Sequence, residues 1–480
     1  PMKPLRMKCA LFFFGFALLW TVSAEAKDGR WIDPADQTIP IDFKYQGEYL
    51  GTLESGGKMG CQVVSLGAGV FQAVLYPGGL PALGWDGQNR SIMDGKLNGD
   101  EVIFTAGSGK RAHVAATRGR EKNPSSTMVS LVTMFPPVGH KPCAAKIHGD
   151  KMNGEFDGKP FSLSKTIRKS PTLGNKPPEG ALVLFDGSSK KEWSRGMINE
   201  KFATLMPKGD LVTKRQFNNY SIHLEFMLPY QPDYRSQDRG NSGFYQVHDY
   251  EIQILDSFAM DGAHNECGGI YSHKGADVNM CLPPLVWQTF DVEFTNSVAK
   301  DRKKIKNAVI TVRHNGVVIH DKFEIPGKSK YGVRGSAEGA PGPFMLQNHR
   351  EPLQYRNIWV LPHGPTPPIP TPKVVEKQPK PTMKAVAPTS AAAKSLLGQW
   401  HIRFVNNGNS YVLNLKTDGR SHLARKGKAW QGVWTVKEGL LTVTNPHDVI
   451  RIQLAPKGSV YSGKNNFGAA RLSRNEVPKF

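Results

Sequence analysis

Short apolar runs broken by turn residues dominate this chain, and they predict strands rather than helices. In the first third, "CQVVSLG" (61–67), "VFQAVLYPG" (70–78) and "DEVIFTA" (100–106) are strand-like. Gly, Asp and Asn punctuate them at close spacing, as in a sandwich or barrel. In the middle, "NSGFYQVHDYEIQIL" (241–255) predicts two strands about a turn at His248-Asp249. "AVITVRHNGVVIHDKF" (308–323) predicts a hairpin, because Asn315-Gly316 suits the positive φ angles of a tight turn. "PFMLQNHREPLQYRNIWVLP" (343–362) gives two more strands, and no long segment here has helical periodicity. The last quarter runs "LLGQWHIRF", "YVLNLKTDGRSHL", "WQGVWTVKEGLLTVT" and "VIRIQLAP". Turns at "TDG" and "KEG" make it a small meander of antiparallel strands.

One stretch breaks step. In "YEIQILDS" (250–257) Glu251 and Gln253 alternate with Ile252 and Ile254, as a strand with one buried face requires. Asp256 then falls out of phase behind Leu255. A bulge near Leu255 inserts one extra residue and would return Asp256 to the face of Glu251.

Composition divides the chain. Lys3, Arg6 and Lys8 precede the apolar "ALFFFGFALLW", and "AEA" (24–26) supplies small residues for cleavage, so residues 1–26 read as a secretory signal peptide. A secreted or periplasmic location follows as the expectation, and no later run reaches the length of a membrane span. Residues 27–170 form the N-terminal β-rich domain and 171–362 a β-sandwich, with a Pro/Gly hinge, "RKSPTLGNKPPEG", between them. Residues 363–395 are rich in Pro, Ala and Lys and read as an extended linker to a basic module at 396–480, which resembles a lipocalin-like β-barrel suited to binding or attachment.

The net charge of +21 is uneven, since residues 363–480 hold 18 basic and 5 acidic side chains. That module could meet anionic glycans or an envelope surface, or be merely a solvated basic face. Nothing resembles a nucleic-acid module. In an exported protein the even cysteine count favours disulfides. Three connectivities are open; pairing within domains gives Cys61–Cys143 and Cys267–Cys281, and four buried thiols are the plain alternative. No CxxC spacing supports zinc.

Six motifs follow in order: "ALVLFDGSSKKEW" (181–193), "GNSGFYQVHDYEIQILDS" (240–257), "GGIYSHKGA" (268–276), "WQTFDVEF" (287–294), "HNGVVIHD" (314–321) and "GPFMLQNHREPLQYRNIWV" (342–360). Together they resemble the 3-keto-disaccharide hydrolase family over about residues 180–362. The resemblance implies an all-β, concanavalin-like jelly-roll sandwich, here flanked by an N-terminal β domain and the small C-terminal barrel. It implies an exported bacterial enzyme acting on a 3-keto-glycoside or 3-keto-disaccharide. "ExQxxD" at 251–256 is also similar to the "ExDxxE" strand of laminarinase-type glycosidases, but Gln253 is no acid and a retaining acid pair is incomplete.

A 3-keto sugar removes the need for such a pair. Its carbonyl acidifies the hydrogen on carbon 2, so one base can start an elimination that expels the carbon 1 oxygen, and water then adds to the enone. That chemistry needs a base, an enolate stabiliser and a proton donor. A divalent metal ion could polarise the keto oxygen, although no ligand set for one is assigned. Glu251 is the first candidate for base, with Asp256 and His349 as further catalytic candidates. Gln253, Asn241, Tyr271, Gln347 and Arg356 are candidates for holding the substrate, Arg356 being equally suited to a structural ion pair. Tyr76, Trp85 and Trp287 suit sugar stacking but also ordinary cores. His264, Glu266 and His273 match no standard ligand spacing. A non-catalytic, lectin-like envelope protein is the alternative, because such sandwiches also serve as lectins.

Overall fold

The computed structural model describes residues 29–113, 119–120, 129–301, 303–332, 338–364, 385, 387–404, 410–425, 428–438, 440–444, 449–453, 460–465 and 468–473. The expected signal peptide and most of the expected linker lie outside the described residues. The fold is all-β, as the apolar pattern predicts. Residues up to Pro370 cluster as one compact unit and Thr371–Phe480 as a second.

The first unit begins with a closed barrel of eight antiparallel strands, from Gly47–Leu53 to Lys159–Thr166. Met59, Cys61 and Val63 of the Lys58–Gly67 strand point into the barrel core, while Val64 and Leu66 join a second core. Val74 and Tyr76 of the next strand, Val70–Pro77, do the same. That second core is the interior of the sandwich, so these strands are covered on both faces. Their unbroken apolar runs follow from this, since a strand with water on one face would alternate.

The sandwich has a large sheet in the order Met197–Asn199, Thr204–Met206, Gln354–Pro362, Tyr220–Met227, Trp287–Thr295, Ala308–His314 and Val317–Ile325, with Leu182–Phe185 also on Gln354–Pro362. A small sheet runs Leu211–Val212, Met345–Leu346, Ser242–Gln246, Tyr250–Ile254. The Asn315-Gly316 turn forms as predicted, with φ of 51° and 81°. Leu224, Phe226, Phe290 and Val292 meet Phe244, Ile252 and Leu346 across the core.

The expected disulfides are absent: Cys61, Cys143, Cys267 and Cys281 are free and buried. Each expected pair is nonetheless adjacent. Burial, and then the neighbouring Cys143, raise the Cys61 thiol, and Cys281 shares a hydrogen bond with Cys267. The thiols find other acceptors, Cys281 Sγ donating to the Leu255 carbonyl at 3.6 Å and Cys143 Sγ to that of Ile92 at 4.0 Å.

The second unit is its own closed barrel, an eight-stranded meander from Gly398–Phe404 to Gly468–Ser473. Trp400, Ile402, Leu413, Trp434 and Leu441 fill it.

Candidate active site

The hairpin of Ser242–Gln246 and Tyr250–Ile254 sorts its side chains by alternation. Phe244, Ile252 and Ile254 enter the core, so Gly243, Tyr245, Glu251 and Gln253 share the opposite face. The register sets Tyr245 opposite Glu251 and Gly243 opposite Gln253. Tyr245 donates its hydroxyl hydrogen bond to Glu251 Oε2 at 2.8 Å. Gln347 Nε2 approaches that hydroxyl at 3.5 Å. A Cβ on Gly243 would lie 2.2 Å from Glu251 Oε1, so only glycine leaves room for the carboxylate there.

Gln253 continues the polar face, its Nε2 donating to Asn241 Oδ1 at 3.0 Å, while Asn241 Nδ2 donates to the Gln237 carbonyl at 2.7 Å. The outer edge of the strand is covered. Tyr271 N donates to the Glu251 carbonyl at 3.0 Å, and Gln253 N to that of Gly269 at 2.9 Å. The structure thus brings together Glu251, Gln253, Asn241, Tyr271 and Gln347.

Electrostatics distinguishes Glu251 from an ordinary surface acid. It is 2% exposed, and burial pushes its carboxyl up to about 7 against the opposing pull of the Tyr245 hydrogen bond. Burial and the facing carboxylate also raise the Tyr245 hydroxyl, which keeps it protonated as a donor.

His349 occupies a neighbouring cavity of about 570 Å³ with Arg30, Asp238 and Glu351. Burial lowers its imidazole, with Asp238 and Asp210 partly opposing the shift. Glu251 does not line this cavity. Two chain segments connect the places: Gln237 and Gln347 reach the Glu251 face, and their successors Asp238 and Asn348 line the cavity.

Asp256 and Arg356 stand elsewhere. The hairpin register runs without a shift and its strand ends at Ile254, so the expected bulge does not form. Asp256 instead accepts from Arg239 Nε at 2.5 Å, and Arg239 Nη1 donates onward to the Ser65 carbonyl of the barrel at 3.2 Å. A buried arginine held between modules needs a counter-charge, and Asp256 supplies it. Arg356 lies on the large sheet, paired with Glu225 at 2.7 Å and stacked 3.9 Å over Trp287. His264 and His273 bond to the Ser272 amide and the Lys328 carbonyl. Among the described residues no three of His, Cys, Asp or Glu are grouped to hold a metal ion.

Tyr245 and Glu351 are the residues that sequence reading misses. Tyr245 was recoverable, because a turn centred on His248 places residues 245 and 251 opposite each other. Glu351 carries no periodic signal, lying in a loop two residues after His349.

Residues 180–361 match the family model described as a 3-keto-alpha-glucoside-1,2-lyase-like domain. No curated protein matches the chain. A candidate glycosyl hydrolase from Parabacteroides distasonis ATCC 8503 is 29% identical over 38% of this chain and 84% of its own, with a TM-score of 0.35. Another from that organism is 16% identical over 40% and 99%, with a TM-score of 0.29. With six motifs in order and a complete sandwich over the matched residues, the central region is similar to the 3-keto-alpha-glucoside-1,2-lyase-like domain family.

Proposed function

We propose that this protein is an exported enzyme that cleaves 3-keto-glycosides or 3-keto-disaccharides by elimination and hydration. Glu251 takes the hydrogen from carbon 2, and the electron pair forms the carbon 1–carbon 2 double bond as the carbon 1–oxygen bond breaks. The leaving oxygen takes up a proton, with His349 the candidate donor. Water then adds its hydroxyl to carbon 1 and its hydrogen to carbon 2, so the net reaction is hydrolysis.

The observation that supports this reading is Glu251 itself: a carboxyl pushed to about 7, oriented by one tyrosine on a polar sheet face. A base whose pKa lies near the working pH combines availability with driving force. Tyr245, Gln347 and Gln253 supply nearby donors for sugar or enolate oxygens.

The test is incubation with 3-keto-trehalose, 3-keto-sucrose and their parent sugars, followed by product analysis. Only the keto forms should be cleaved. Glu251→Gln should reduce turnover roughly 100-fold or more while the fold persists. For the wild type, kcat/KM should pass through a maximum, falling on the acid side as Glu251 takes up a proton and on the alkaline side as His349 loses its own. Cleavage of parent sugars at equal rates, or an unchanged rate in the variant, would overturn the reading; binding without cleavage would favour a lectin.

A further inference from the structure

The His349 cavity is lined by two ionisable side chains that are not fully hydrogen-bonded. Glu351 is 6% exposed, and its Oε2 meets no hydrogen-bond donor. Arg30 Nε is likewise buried without an acceptor. Buried polar groups that are not fully hydrogen-bonded are costly, so a cavity with both side chains in its wall is suited to a polar ligand.

Arg30 reaches the cavity from far away in the chain. Trp31 pairs with Tyr230 in an isolated bridge, and the Ile32 carbonyl accepts from Gln354 Nε2 at 2.8 Å. Lys201 Nζ bonds Asp33 at 2.5 Å. The N-terminal strap is thereby fixed to the sandwich. It holds the Arg30 guanidinium 5.0 Å over the Tyr234 ring, with Nη1 donating to the Arg350 carbonyl at 3.4 Å.

We propose that this cavity is the subsite for the second, departing sugar of the substrate, a neutral hexose unit whose hydroxyls bond to the charged lining of Arg30, Asp238 and Glu351. The lining selects that chemistry. Asp238 and Glu351 would oppose an anion, and Arg30 and Arg350 a cation, whereas a hydroxyl can both accept and donate. The volume falls within the usual range for small-molecule sites. The location fits as well, since residues 237–238 and 347–351 run from the Glu251 face into the cavity wall. The assignment rests on the proposed function only in treating one substrate as spanning both places.

Two measurements on the full chain test it. In the first, glucose and trehalose are titrated by NMR, without turnover. The wild type should bind, and Glu351→Gln and Arg30→Met should each weaken binding roughly tenfold, the scale of a hydrogen bond to a charged group. Arg420→Ala, an exposed change in the C-terminal barrel, should not change it. No binding by the wild type, or equal binding by all variants, would overturn the subsite. In the second, kcat/KM is compared on 3-keto-trehalose and methyl 3-keto-glucoside. The cavity variants should lose roughly tenfold on the disaccharide alone; equal losses on both substrates would overturn the proposal. If the wild type cleaves neither substrate while the glucose shifts appear as expected, the sugar site stands and the proposed reaction falls.

Discussion

The chain builds two eight-stranded barrels by different rules. In the N-terminal barrel, Lys58–Gly67 has nine of its ten residues buried, because one face fills the barrel and the other packs on the sandwich. In the C-terminal barrel, Leu440–Thr444 alternates buried and half-buried positions strictly. The first is a wall shared with the sandwich; the second has a core of its own. Closure of a sheet therefore says little about independence, and the pattern along a strand says more.

The contrast can be broken most severely by truncation. Deleting residues 27–167 should leave the sandwich insoluble or unfolded, because its core loses the side chains of the adjoining barrel strands. Deleting 371–480 should leave the Tm of the first unit unchanged; a stable, active sandwich without its barrel would refute the distinction.

Point changes sharpen it. Arg239→Met strands Asp256 as a buried, unpaired charge and should cost about 3–5 kcal/mol in denaturant unfolding. Arg420→Ala in the C-terminal barrel removes only an exposed pair with Asp418 at 3.7 Å and should cost less than about 1 kcal/mol.

Next comes a pH effect in the first unit. Glu251, Glu266 and Glu351 all have carboxyls raised to about 7 by burial. Their native forms keep protons that the unfolded chain releases above about 4.5, so stability should fall as pH rises from there through 7. Glu225, lowered to about 2 despite burial by bonds from His223, Asn357, the Gly174 amide and Arg356, acts oppositely, losing stability as pH falls below about 4.5. Denaturant midpoints across pH should show the decline towards neutrality, and Glu351→Gln should flatten it.

The finest comparison lies within one barrel. Gly67 and Gly56 share a φ of 90°, but a Cβ at Gly67 would lie 2.2 Å from Asp233 Oδ1, whereas Gly56 has nothing within 4 Å. Gly67→Ala should cost about 1–3 kcal/mol and Gly56→Ala about 1 kcal/mol. Equal costs would mean that the contact between barrel and sandwich adds nothing at this position.

Legibility followed the same division. The Asn315-Gly316 hairpin, the C-terminal meander and the shared face of Glu251 and Gln253 could be read because local turn chemistry and alternation fix them. Asp256 could not be placed, since an acid just past a strand end reads equally as a bulge or as the mate of a distant arginine. Arg239 became that mate only through the Ser65 carbonyl of another module. Glu351 was hidden because the burial of a loop has no period.

A strand with water on neither side also has a temporal consequence. The amides of Lys58–Gly67 can exchange with solvent only when the surrounding structure opens, and both barrel and sandwich must release that strand. A single slowly exchanging peptide from this segment would therefore act as a clock for global opening of the whole first unit.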